Sequence, residues 1–143
     1  MRFLTMTFAV LLFCFYSNFM NAQSIPSIEE VSSFFSNSNI LITSREGGPI
    51  YGTFYFVEIH YCPQGYGLYG RSEKQTVLGN IQRNNWREFG TWKVVNQNDQ
   101  VGLFYTVQST GAQNFVPVYK LDNGNFFIGE GYTIVHQGQA ICQ

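Results

Sequence analysis

The sequence predicts a mainly all-β protein: an antiparallel barrel or barrel-like sandwich of about eight or nine strands, with one short N-terminal helix. Three observations carry that expectation. From Asn39 onward the apolar residues alternate with period two, turn residues recur at intervals of roughly ten, and only the stretch from Ser24 to Asn37 shows a helical stripe. The composition, 17% aromatic and only 12% charged, excludes a disordered tail, a coiled coil and a multidomain enzyme. A formal charge of -1 with no basic cluster leaves nothing to hold a phosphate backbone, so nucleic acid is not an expected partner.

Residues 1–22 read as a cleaved signal peptide. Arg2 supplies the charged start, Phe8 to Tyr16 the apolar run, and Met20-Asn21-Ala22 a small residue at the cleavage position. The run is shorter than the ~20 residues a bilayer core requires, so no stable membrane span is expected after its removal. Cys14 lies between Phe13 and Phe15, a context unlike a lipidation site. The expectation is a single secreted or periplasmic β domain over residues 23–143.

Ser27 and Glu30 form the S-x-x-E pattern of a capping box, and Ile28, Val31, Phe34 and Phe35 follow on one stripe. The opposite face is acidic and the helix short, which suits a lid packed on the core rather than a membrane or partner helix. Strands are expected at Ile40–Thr43, Tyr51–Tyr61, Gly67–Arg71, Gln75–Gln82 and Trp86–Val95, then at Val101–Gln108, Phe115–Leu121, Asn125–Gly129 and Tyr132–His136. Cys62-Pro63-Gln64-Gly65 and Asp122-Asn123-Gly124 carry turn chemistry, and Asn96–Gln100 and Ser109–Gln113 serve as polar hairpin loops. Pro117 donates nothing to a ladder, so its strand should lie at an edge or contain a bulge.

Alternation assigns faces. Tyr55, Val57, Ile59 and Tyr61 share one side, while Phe54, Phe56, Glu58 and His60 share the other, whose polar end suggests a strand leaving the core. Trp86, Glu88, Gly90, Trp92 and Val94 likewise share a side, and Gly90 implies either a bend or room for another group. Gly90-Thr91-Trp92 is similar to the short G-x-W strand signature of lipocalin-like barrels. The match covers three residues and falls after about four candidate strands rather than on the first, so the likeness implies barrel architecture alone and no binding residue.

After the signal, two cysteines remain, Cys62 and Cys142, and export makes a disulfide their expected state. With His60 and His136 they make a Cys2His2 set of ligand types, but neither pair has zinc-finger spacing, so no metal and no cofactor is expected. Nucleophilic catalysis would have only His60 and His136 as imidazole bases, and no G-x-S-x-G is present. Glu58, Glu88 and Glu130 are the carboxylates available for glycoside chemistry, each read as a strand-end charge. Asn and Gln outnumber charged side chains after Ala22, and aromatics with neutral amides suit a small apolar or sugar-like ligand. Trp86, Trp92, Tyr105 and Tyr119 are the candidate lining residues. The function expected is a secreted, noncatalytic binding module for such a ligand or for a protein partner. The rival readings are a cell-surface or matrix interaction protein with a filled core, and a small secreted hydrolase using Glu58 or His60.

Overall fold

The computed structural model describes residues 23–48, 50–129 and 132–142, and the expected signal peptide and Glu130 lie outside them. The described chain runs β1 (Gln23–Ser24), α1 (Ile28–Phe35), β2 (Ser38–Glu46), β3 (Gly52–Cys62), β4 (Gly65–Gln75) and β5 (Ile81–Gln97). It continues as β6 (Gln100–Val107), β7 (Gln113–Leu121), β8 (Phe126–Ile128) and β9 (Tyr132–Gln139). All pairings are antiparallel, in the order β1-β7-β6-β5-β4-β3-β2-β9-β8, with β8 also reaching β7. From β2 onward each strand pairs with its successor, and β9 returns to β2, an up-and-down, barrel-like circuit. The join through β8 is thin: it pairs Val118, Tyr119 and Lys120 on one side and Thr133 and Tyr132 on the other.

The expected capping box is present in full. Ser27 Oγ accepts from Glu30 N, and Glu30 Oε2 accepts from Ser27 N. Such a cap is worth about 1 kcal/mol and sets where the helix starts. The helix is shorter than the sequence stripe, because Gln23 and Ser24 pair with Leu121 and Lys120 of β7 and Asn37 turns left-handed at φ 55°. Val31 and Phe35 are fully buried, whereas Ile28 is exposed. Phe35 meets the Tyr61 ring edge-on at 5.1 Å, so α1 caps the end of the sheet where β2 begins and β3 finishes. Ile40, Leu103 and Val118 complete the dry core beneath the helix. Among the described residues no helix is long and apolar enough to cross a membrane.

Two strand expectations need correction. The segments Gly67–Arg71 and Gln75–Gln82 belong to one long hairpin, in which Gln75 pairs with Ile81 and residues 76–80 form the turn. Two apolar residues of that segment, Val77 and Leu78, lie at the hairpin tip and are exposed. Nor does β3 leave the core at its polar end, because Ile59, His60, Tyr61 and Cys62 are its most buried residues. The C-terminal segment lies against them: Ile141 N donates to His60 Nδ1, and Cys62 is bridged to Cys142. Gly90 makes room rather than a bend, since a Cβ there would stand 2.0 Å from Thr106 O and 2.9 Å from the Tyr66 ring.

Candidate functional site

The inner faces of the strands surround a cavity of about 550 Å3. Its floor is Ile59, Tyr66 and Tyr105, directly above the core sealed by α1. Ile42, Val57, Leu68 and Val116 make an apolar wall, interrupted by Glu88 and Asn114. Ser44, Glu46, Tyr55 and Tyr132 line the end away from the helix, where β2 finishes and β3 and β9 begin. Period-two alternation explains the composition: Tyr55, Val57 and Ile59 project from β3 to one side, and the register sets Ile59 opposite Leu68 and Leu68 opposite Glu88.

The floor is held by hydroxyl bonds. Tyr66 Oη donates to Glu88 Oε1 at 2.6 Å, and the Tyr61 and Tyr105 hydroxyls bond each other at 2.5 Å. The Tyr66 and Tyr105 rings meet edge-on at 5.2 Å. Burial pushes the Tyr61 hydroxyl above the usual tyrosine range, partly offset by its bond to Tyr105. Tyr66 is raised by burial and then by its bond to the Glu88 carboxylate, and Tyr105 by burial and its neighbour Tyr61. All three are therefore neutral hydrogen-bonding groups at neutral pH.

Charge is sorted across the wall. The ion pairs among the described residues involve Glu30, Glu58 and Glu73, so Glu46 and Glu88 face the cavity without a cationic partner. Four of the cations on these strands stand on the opposite side-chain parity, while Lys74 shares the parity of Tyr66 and Leu68 but lies exposed at the end of β4, outside the lining, and Lys120 pairs with Glu30. Arg45 lies over Phe54, Arg71 over Phe56, Arg87 over Tyr69 and Lys93 over Phe104, each pair directly opposed on neighbouring strands. Such stacking satisfies a cation on the outer face of the sheet.

Of the four aromatics singled out from the sequence, Tyr105 lines the cavity. Trp92 lies lower, in the core, with its ring 5.0 Å from Tyr61 and its Nε1 donating to Cys62 O. Trp86 borders a separate surface depression with Phe56, Tyr69, Arg71 and Arg87. Its ring covers Gly70, where a Cβ would stand 1.9 Å from Trp86 Cε2. Tyr119 stacks on Phe127 at 5.0 Å and accepts from Gln100, away from the cavity lining. Sequence reasoning missed Tyr55, Tyr66, Tyr132 and Glu46 as lining residues. A usable signal was present in Glu88, a carboxylate on a face otherwise shared with Trp92 and Val94.

The residues considered for catalysis or metal binding are dispersed. Glu58 accepts from Asn39 Nδ2 at 2.6 Å and faces His60 Nε2 at 3.2 Å, on the side of β3 opposite the cavity lining. Both His60 nitrogens are thus engaged, Nδ1 by the main chain of Ile141. His136 Nδ1 accepts from Gly138 N, and its ring packs against Phe34. The two cysteines are bonded to each other, and among the described residues no three His, Cys, Asp or Glu groups converge as metal ligands.

Compared with protein-family models, with curated proteins and with solved structures, the chain matches none.

Proposed function

We propose that this protein is a noncatalytic binding module that takes one small, largely apolar ligand into the barrel interior. The observation that carries the reading is the cavity itself: about 550 Å3, walled by Ile42, Val57, Leu68 and Val116, with a few tyrosine hydroxyls and carboxylates among them. Pockets of ~300–1,000 Å3, mainly apolar with a few placed polar groups, are the usual form of small-molecule sites. A filled-core interaction protein would have no use for this space. The hydrolase reading rests on Glu58 or His60, and both lie outside the cavity lining.

Titration with N-phenyl-1-naphthylamine, an uncharged probe that brightens in apolar surroundings, tests the reading. Saturable binding at one site per chain is expected, and Val57→Trp, which narrows the cavity with an indole, should weaken it while circular dichroism shows the fold retained. Absence of saturable binding to the wild-type chain overturns the proposal. So does binding in folded Val57→Trp as tight as in the wild type.

We propose also that the chain is exported with a cleaved signal and that Cys62–Cys142 forms in the oxidising compartment. The intact mass of protein recovered from its own host should begin at Gln23 and lack the two thiol hydrogens. A full-length or reduced chain refutes this.

A further inference from the structure

The charge arrangement narrows the ligand further, and this step rests on the binding proposal above. Among the described residues, the ionisable side chains lining the cavity besides tyrosines are Glu46 and Glu88. Glu88 Oε1 accepts from Tyr66, and Glu46 Oε2 accepts from Tyr55 at 3.3 Å. Neither carboxylate forms an ion pair among the described residues. Arg45, Arg71, Arg87 and Lys93 are held over aromatic rings on the other face of the same strands, and Lys74, which shares the inner parity of β4, lies exposed at the strand end outside the lining.

We infer that the cavity selects a cationic amphiphile: an apolar body carrying an ammonium group, which a carboxylate and the surrounding tyrosine rings receive. Three physical reasons converge. Glu88, partly buried beside apolar walls, attracts a cation more strongly than a carboxylate in open water does. Tyr55, Tyr66, Tyr105 and Tyr132 line the same space, and aromatic rings attract a cation. A ligand carrying a carboxylate or phosphate would meet Glu46 and Glu88 with no Lys, Arg or His among the described lining residues to receive it.

The test compares three dodecyl compounds that share an apolar chain: dodecylamine, a cation at neutral pH, dodecanol, and dodecanoic acid, an anion. Each displaces N-phenyl-1-naphthylamine from the wild-type protein, below its micelle concentration. Dodecylamine is expected to compete at least about tenfold better than dodecanoic acid, with dodecanol between them. The isosteric variants Glu88→Gln and Glu46→Gln, and the pair combined, should shrink that ratio, each compound's competition being read against the same variant's own affinity for the probe and for dodecanol. A ratio near one, a preference for dodecanoic acid, or an unchanged ratio in the combined variant overturns the cationic assignment and leaves cavity binding standing. Failure of the probe and of all three compounds to bind overturns both.

Discussion

The buried hydroxyl pair beneath the cavity offers a sharp test of the packing. Tyr61 is fully buried, and its hydroxyl bonds that of Tyr105. Tyr105→Phe leaves the Tyr61 hydroxyl without a partner in a dry core, a cost of about 1–3 kcal/mol. Tyr61→Phe leaves the Tyr105 hydroxyl at the cavity edge, where less is lost, about 0.5–1.5 kcal/mol. The double variant removes both groups together and strands neither, so it should cost clearly less than the two single losses added. A coupling of about 1 kcal/mol or more is expected. Urea unfolding of the four proteins, with the disulfide intact, measures it, and thermal midpoints should follow at ~3–6 °C per kcal/mol for a domain of this size. Strict additivity, or single variants as stable as the wild type, would refute the claim that these hydroxyls satisfy each other.

Four further outcomes are expected. Reduction of Cys62–Cys142, which closes a separation of 80 residues, should lower stability by at most about 4.5 kcal/mol, read as a fall in the urea midpoint. Gly90→Ala, whose Cβ would collide with Thr106 O, should destabilise strongly or prevent folding; Gly111→Ala, with open space but φ +69°, should cost only about 1 kcal/mol. Equal losses would contradict the close approach at Gly90. The Glu30 carboxyl is held below its ordinary range by Lys120 and then by the cap to Ser27, so its stabilising contribution is whole above the unfolded carboxylate range and disappears as pH falls through the lowered value. Lys120→Met should therefore flatten part of the acid limb of stability against pH, and an unchanged limb would rule this pair out as its source. Tyr61, Tyr66 and Tyr105 have raised folded-state values, so their contribution is whole below the unfolded value of ~10 and is lost as pH rises beyond it. Phenolate absorbance should then show part of the tyrosine ionising only together with alkaline unfolding, whereas full ionisation of the folded chain would contradict their burial.

Much of the architecture was legible because it rests on local chemistry. The capping box at Ser27 and Glu30 and the hairpin residues Cys62 to Gly65 act within a few positions of themselves. Alternation along Tyr55, Val57, Ile59 and Tyr61 is a property of any strand. With two cysteines in the β region, the pairing of Cys62 with Cys142 needed no geometry. Alternation nevertheless states only which residues share a side. Which side becomes the interior depends on curvature and on the register that brings β9 back to β2, both set by pairings distant in sequence. The long-range fold therefore decided that Tyr105 lines a cavity while Trp92 fills the core and Tyr119 stacks outside it. It also separated Glu88, inside, from Glu58, tied to Asn39 and His60 on the other face. Val77 and Leu78 belong to a segment read as a strand, but the hairpin carries them beyond any surface that could bury them. Local chemistry was enough for most of the strands, the helix cap and the bridge; the cavity and its negative lining came from the tertiary fold, because a concavity is a property of eight strands curving together and of none of them alone.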